Sequence, residues 1–188
     1  MERSFEAVLV EQCATTLAGV KPASLFRYQG ADRWQSREAA ARWAKELAPY
    51  GITVRILKVC PQTGACLIYL YRAGWLRSIL SEPSNRAFLA RQGYQTDQDC
   101  PGLLRQLSRR LCLEREFPHE IGVFLGYPLE DVVGFIENRG RNYTCCGCWK
   151  AYGDPEAARR RFDQYRRCTA ACKERFRRGA PITQLIAA

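Results

Sequence analysis

Two neighbouring stretches, Ile52-Thr-Val-Arg-Ile-Leu-Lys-Val59 and Ala65-Cys-Leu-Ile-Tyr-Leu-Tyr71, decide the fold class of this chain. The first alternates apolar and polar residues, and the second is a mostly apolar run that contains two tyrosines. The connection Pro61-Gln-Thr-Gly64 consists of residues typical of turns. We therefore predict a β-hairpin with strands at about 52–59 and 65–72.

Outside this hairpin the apolar spacing is mainly helical. Residues 23–28 fit either a short strand or a loop. Helices are predicted over 4–18, from Ser36 as N-cap to about Pro49, over 75–80 and 83–92, after Asp99 as a cap, over 117–126, and from Pro128 onward. Asp154-Pro155-Glu156 is a strong helix start and predicts a basic C-terminal helix over about 154–178. The predicted class is α+β: a helix-rich single domain, residues 1–188, around a small sheet.

The composition is that of an ordinary globular protein. Of 188 residues, 47% are apolar and 26% are charged, which excludes a disordered or collagen-like chain. The formal net charge is +10, and residues 139–178 hold 12 basic against 4 acidic side chains. The C-terminal quarter is therefore a cationic element on a nearly neutral body.

The N-terminus and the cysteines bear on the compartment. Met1-Glu2-Arg3-Ser4-Phe5-Glu6 shows no basic segment followed by an apolar one, so no secretory signal is expected. No uncharged stretch is long enough to span a bilayer. We expect a cytoplasmic protein with no membrane partner. The 10 cysteines are then expected as thiols, metal ligands or nucleophiles rather than disulfides.

His119 is the only histidine of the chain. Pro118 is expected to place it in the first turn of a helix, where the helix dipole disfavours the imidazolium form. A neutral imidazole suits a general base or a metal ligand, and Glu120 follows as an orienting carboxylate or second base. The alternative is a histidine that makes only local hydrogen bonds at a helix start.

Four cysteines have a spacing that resembles a tetrahedral zinc site. Cys145 and Cys148 form a C-x2-C pair, and Cys168 and Cys172 lie one helical turn apart further along. Zinc or iron is therefore a possible cofactor, and a metal-handling accessory protein is one candidate function. The alternative is that Cys172 is a small apolar residue on the inner seam of its helix.

Cys13 is a second kind of candidate, because it lies near the end of the first predicted helix. A thiol beside a helix end and a lysine, here Lys21, can be activated as a nucleophile.

The arginine-rich C-terminal helix, with aromatic residues nearby, makes nucleic acid another possible partner. A glycine-rich phosphate loop, a G-x-S-x-G motif and a kinase signature are all missing from the sequence.

Several motifs resemble a known family. The run from Phe117 to Gly140, with Phe-Pro-His-Glu-Ile-Gly and Leu-Gly-Tyr-Pro, and the following Trp149-Lys150 resemble a family of uncharacterised bacterial proteins known only as a domain of unknown function. The stretch from Cys13 to Phe26 is similar to the N-terminal motif of that family. The resemblance implies importance for six residues: Cys13, Lys21, His119, Glu120, Trp149 and Lys150. Cys145 and Cys148 are additional to the family pattern.

The leading prediction is one polar pocket built from these residues. His119 is its base or ligand, Glu120 supports it, and Cys13 is the candidate nucleophile. An anionic group is held by Lys21 and Lys150, and Trp149 forms a wall. The protein is then either a thiol-dependent enzyme or a binder of a small anionic ligand, and the sequence leaves that choice, the substrate and the oligomeric state open.

Overall fold

The computed structural model describes residues 3–32 and 34–187. The chain forms two compact units. The first contains the residues up to Trp75 and those from Cys168 onward, and the second contains Leu76–Arg167. The described residues contain mainly helices together with a small antiparallel sheet, which confirms the α+β class. That the whole chain is a single domain stays a prediction.

The sheet of the first unit has three antiparallel strands in the order β1-β3-β2. Their bounds are Ala23–Tyr28 for β1, Ile52–Val59 for β2 and Cys66–Arg72 for β3. The predicted hairpin is confirmed as β2–β3, and β1 pairs with the other edge of β3. The register shifts between Ile56 and Lys58, so that a bulge turns the Leu57 side chain into the core.

Two helices of this unit, α1 (Phe5–Leu17) and α2 (Gln35–Leu47), pack on the sheet. Short 3-10 helices follow at Ala48–Tyr50 and Ile182–Leu185. Burial of the apolar faces of α1 and the three strands forms one core, which contains Leu9, Ile68 and Leu70 with no exposed surface. Such burial is the main favourable contribution to the folding free energy.

The start of α2 differs from the prediction. The helix begins at Gln35, and the hydroxyl of Ser36 accepts a hydrogen bond from the backbone N–H of Gly30 at 2.9 Å instead of capping the helix. The carboxylate of Asp32 accepts from the N–H groups of Trp34 at 2.7 Å and Gln35 at 2.8 Å. Asp32, four residues before Ser36, therefore stabilises the turn that leads into α2, and the Ser36 hydroxyl is engaged with Gly30.

Arg72, at the end of β3, satisfies the C-terminal end of α1. Its guanidinium donates to the carbonyl oxygens of Thr16 at 2.9 Å, Leu17 at 2.8 Å and Ala187 at 3.1 Å. The last carbonyls of a helix have no partner within the helix, so a buried helix end needs donors of this kind. One planar side chain thus joins a helix end, a strand end and the C-terminal segment.

The second unit is mainly helical. Its elements are α3 (Ala73–Ser81, which begins in the first unit), α4 (Pro83–Arg91), α5 (Cys100–Leu113), α6 (Ile121–Phe124), α7 (Leu129–Glu137), β4 (Cys145–Cys146), β5 (Lys150–Ala151) and the first part of α8 (Pro155–Arg177). The predicted cap of α5 is confirmed, because the carboxylate of Asp99 accepts from the N–H of Gly102 at 2.8 Å. The predicted basic helix corresponds to α8.

The predicted helix over 117–126 is much shorter than expected. Only Ile121–Phe124 is helical, and His119 lies in the turn before it. The argument that a helix dipole keeps His119 neutral therefore does not apply, since a single turn of helix has little dipole. Within the described residues, no helix has the length and apolar character needed to cross a membrane.

Candidate functional site

The second unit contains a cavity of about 410 Å³. Its lining comes from the segment before α6, from α6 and α7, and from the β4–β5 hairpin. Most of this lining is apolar, and the aromatic rings belong to Phe117, Tyr127, Phe135 and Trp149. Small-molecule sites typically enclose about 300–1,000 Å³ and combine an apolar lining with a few polar groups.

A glycine in α6 allows the close approach that forms one side of the cavity. A Cβ atom on Gly122 would lie 2.7 Å from a methyl carbon of Val132 in α7. The turn between the two helices passes through Gly126, whose φ of +75° favours glycine. The Leu-Gly-Tyr-Pro motif is therefore the connection that brings α6 and α7 together at the cavity.

The hairpin supplies the opposite side. Cys146 pairs with Lys150 across the hairpin, and Gly147, Cys148 and Trp149 form its tip. A Cβ atom on Gly147 would lie 2.3 Å from the ring of Phe162, so the tip packs against α8 with no space for a larger residue. Cys146 and Cys148 line the cavity, and both are exposed.

Asp131 in α7 fixes the hairpin by three hydrogen bonds. Its carboxylate is 5% exposed and accepts from the indole N–H of Trp149 at 2.8 Å and from the backbone N–H groups of Tyr152 at 2.6 Å and Gly153 at 3.1 Å. A buried carboxylate is tolerated only where such donors replace water. Asp131 therefore determines where the indole of Trp149 stands.

Aromatic contacts hold Trp149 further. Its ring stacks on Tyr127 at a centroid distance of 4.9 Å and meets the edge of Phe162 at 4.5 Å. The guanidinium of Arg161 lies 6.0 Å from the indole centroid. Burial, with smaller contributions from neighbouring Cys148 and Tyr165, raises the pKa of Tyr127 to about 12. Trp149 is thus a rigid wall of the cavity.

Two side chains in the lining can carry positive charge, His119 and Lys150. His119 is exposed, and its ring lies 4.8 Å from that of Phe135. The ammonium of Lys150 donates to the carbonyl oxygen of Gly140 at 2.7 Å and lies 5.1 Å from the centroid of Tyr143. An ammonium has three N–H groups, so this bond leaves further donors for a ligand.

Glu120 does not support His119 as predicted. Its carboxylate is 4% exposed and accepts from the hydroxyl of Tyr94 and from the guanidinium of Arg110, both at 3.0 Å. The guanidinium of Arg110 lies 4.5 Å from the centroid of Tyr94 and also donates to the carbonyl oxygen of Gln92. Glu120 therefore forms a buried ion pair with Arg110, which joins the 119–120 turn to α5.

Cys13 and Lys21 belong to the first unit, whereas every residue that lines the cavity belongs to the second. The thiol of Cys13 has no exposed surface and lies in the core of the first unit. Burial raises its pKa far above the usual range, and the charge of Lys21 and a hydrogen bond with Ser24 offset this only in part. A sealed, protonated thiol is not a nucleophile, so the structure gives no support to that role for Cys13.

The four predicted metal ligands are divided between the units, with Cys145 and Cys148 in the second and Cys168 and Cys172 in the first. Cys145 packs with Phe162 in a small apolar cluster, whereas Cys148 is exposed at the hairpin tip. Cys172 is 6% exposed in the core of the first unit, and burial and the adjacent Cys172 thiol raise the pKa of Cys168 to about 11. Across residues 3–32 and 34–187, no group of three or more metal-ligating side chains lies together. A zinc or iron site therefore stays a prediction without structural support.

Sequence reasoning missed the residue that organises this cavity. From the sequence alone, Asp131, Phe135, Cys146 and Tyr127 were not singled out for the site. The available signal was the Leu-Gly-Tyr-Pro motif, which marked Tyr127 as part of the densest resemblance. Nothing in the local pattern of Asp131 indicates a partner 18 residues away in Trp149.

Comparison with known proteins gives one match. Residues 9–186 match a family model described as "Protein of unknown function (DUF3793)". No curated protein matches the chain, and no solved structure does.

Proposed function

The chain belongs to the DUF3793 family, whose function is unknown, and we propose that it binds a small molecule with a ring-bearing apolar body and one anionic group. The observation that carries this proposal is the cavity of about 410 Å³, with apolar walls and the cationic Lys150 in its lining. Of the two alternatives that the sequence left open, a binder of a small anionic ligand has this support and an enzyme dependent on Cys13 does not.

The walls favour an apolar, ring-bearing body. Aromatic and aliphatic side chains line most of the cavity, and Asp131 and Tyr127 hold the indole of Trp149 in place before any ligand arrives. A preformed wall reduces the conformational entropy that binding would otherwise cost. An apolar ligand gains free energy in proportion to the surface that it removes from water.

The cation favours an anionic group. The ammonium of Lys150 stands among the rings of Phe135 and Tyr143, so it is shielded on those sides from water. Electrostatic attraction strengthens where water is displaced. The one carboxylate in the lining, Asp131, already accepts three hydrogen bonds from N–H groups, which offset its negative charge.

Protection of thiols from alkylation tests the proposal in the unmodified protein. The probe is 1-naphthoate, and iodoacetamide labelling of each cysteine is followed by peptide mass spectrometry. Cys146 and Cys148 line the cavity, whereas Cys112 is exposed on α5 and does not line it. We expect 1-naphthoate to slow alkylation of Cys146 and Cys148 several-fold and to leave Cys112 unchanged. Equal rates with and without the probe at all three thiols would contradict the proposal.

A pair of lysine variants tests the role of the ammonium. Lys150→Met keeps the apolar stem and removes the charge, and Lys45→Met makes the same change at an exposed position of α2. We expect Lys150→Met to weaken 1-naphthoate binding, measured by calorimetry, about tenfold, the equivalent of one charge-assisted hydrogen bond. Lys45→Met is expected to bind like the wild type. Equal affinities in the two variants would show that Lys150 does not contact the anion.

A further inference from the structure

Two exposed arginines flank Gly140 in a turn beside the cavity, and the ammonium of Lys150 is bonded to the same glycine. The turn, Arg139-Gly140-Arg141, follows α7, and the Gly140 carbonyl oxygen accepts the hydrogen bond from the ammonium of Lys150 at 2.7 Å. A Cβ atom on Gly140 would lie 3.1 Å from the ring of Phe135 and 3.5 Å from the Lys150 nitrogen. The turn therefore packs directly on a cavity wall and fixes the ammonium to it.

The backbone of this turn is held in an unusual conformation. Arg139 has φ of +50°, Gly140 has φ of +70° and Asn142 has φ of +56°. The left-handed region is rarely adopted by residues other than glycine, and arginine gains nothing from it locally. Hydrogen bonds from the Arg139 N–H to Ile136 and from the Gly140 N–H to Phe135 keep the turn in this shape.

The cations of this turn have no anionic partner of their own. Within residues 3–32 and 34–187, no ion pair engages Arg139, Arg141 or Lys150, and both arginines are exposed. Several arginines of α8 differ in this respect, since Arg160 pairs with Glu156 and Arg166 pairs with Asp163. Positive charges grouped without a carboxylate repel one another, and a bound anion relieves that repulsion.

From this arrangement we infer that the anionic group of the ligand is a phosphate, bound by Lys150 together with Arg139 and Arg141. The inference rests on the proposed function, because it names the anion that enters the same cavity. A phosphate monoester carries nearly two negative charges and three terminal oxygens at neutral pH. The planar guanidinium of arginine can donate hydrogen bonds to two of those oxygens at once, and the ammonium of lysine contributes a compact positive charge. The ligand class is thus a phosphate monoester with a ring-bearing apolar body.

Two ligands with the same body give the test. 1-Naphthyl phosphate and 1-naphthoate differ in the anionic group, and calorimetry at pH 8 keeps the phosphate fully ionised. We expect the wild type to bind the phosphate about tenfold more tightly, because two further charge-assisted contacts form.

Matched double variants identify the residues responsible. Arg139→Gln with Arg141→Gln removes the two cations of the turn, and Arg159→Gln with Arg167→Gln removes two exposed arginines of α8 that form no ion pair within the described part of the chain. The first pair is expected to remove the tenfold preference for 1-naphthyl phosphate over 1-naphthoate. The second pair, with the same loss of net charge, is expected to keep the tenfold difference.

The outcomes separate this inference from the proposed function. If 1-naphthoate binds and 1-naphthyl phosphate binds no more tightly, the inference is overturned and the proposed function stands. If neither compound protects Cys146 and Cys148, the proposed function itself fails. An equal loss of phosphate affinity in both double variants would also overturn the inference, because net charge alone would then explain the preference.

Discussion

The two units of the chain use their polar side chains in different ways. In the first unit, Arg72 binds three carbonyl oxygens, and the hydroxyls of Thr16 and Ser24 bond each other at 2.8 Å inside the core. In the second unit, Asp131 shapes a cavity whose lining retains exposed thiols and a lysine. In the first unit these bonds contribute to stability, whereas the proposed function assigns ligand binding to the second unit.

Thiol reactivity gives the largest expected contrast between the units. We expect Cys13 to react with iodoacetamide at least about a thousandfold more slowly than Cys148, because a buried thiol reacts only when its unit opens. Cys148 is exposed at the hairpin tip, and Cys13 has no exposed surface. Timed alkylation with peptide mapping measures both rates in one sample. Modification of Cys13 on the time scale of Cys112 would show that the first unit is not sealed.

Removal of Arg110, the ion-pair partner of Glu120, is expected to have the next largest effect, a loss of stability. Arg110→Met leaves the buried carboxylate of Glu120 without its ion-pair partner, and we expect a loss of about 3 kcal/mol in the free energy of unfolding. Arg109→Met is the matched control, since Arg109 is the exposed neighbour on α5. Urea denaturation followed by circular dichroism gives both values. A similar small loss in the two variants would mean that the pair contributes little to the second unit.

The sequence predicted those parts of the fold that depend on neighbouring residues. The β2–β3 hairpin follows from alternation, and the cap at Asp99 from a single side chain near its own helix. The Ser36 cap was wrong because the helix begins one residue earlier, at Gln35, and the Ser36 hydroxyl accepts from the Gly30 N–H instead. The length of α6 was also wrong, since apolar spacing over 117–126 cannot distinguish a helix from a series of turns.

The candidate site shows the same limit. His119, Trp149 and Lys150 come together within one unit, in the region where the resemblance to the family was densest. Cys13 is more than a hundred positions away, and its grouping with His119 depended on long-range packing that no local pattern reports. Asp131 was missed for a related reason, because its donors lie 18 to 22 residues further along the chain.

The loss of stability at alkaline pH provides a second test of the burial of Cys13. The folded state raises the pKa of this thiol above its unfolded value, so its contribution to stability is present below pH about 8.5 and lost above it. Between pH 7 and pH 10 we expect the unfolding free energy of Cys13→Ala to fall by about 2 kcal/mol less than that of the wild type. Cys112→Ala is the control, because Cys112 is exposed. An identical pH dependence in Cys13→Ala and the wild type would indicate that the thiol ionises freely in the folded state.

The smallest expected effect concerns Asp32, an exposed carboxylate in the first unit that binds N–H groups as the buried Asp131 does in the second. Hydrogen bonds from the N–H groups of Gln35 and Trp34 lower the pKa of Asp32. Its contribution to stability is therefore present above the unfolded pKa of about 3.9 and is lost as the pH falls through the lower folded value. Asp32→Asn retains the acceptor oxygen, so we expect nearly wild-type stability at pH 7 and a weaker loss between pH 5 and pH 3 than in the wild type. Thermal denaturation across this pH range measures the difference, with Asp97→Asn as an exposed control. If Asp32→Asn lost more stability than the wild type between pH 5 and pH 3, the proposed contribution of the Asp32 carboxylate would be wrong.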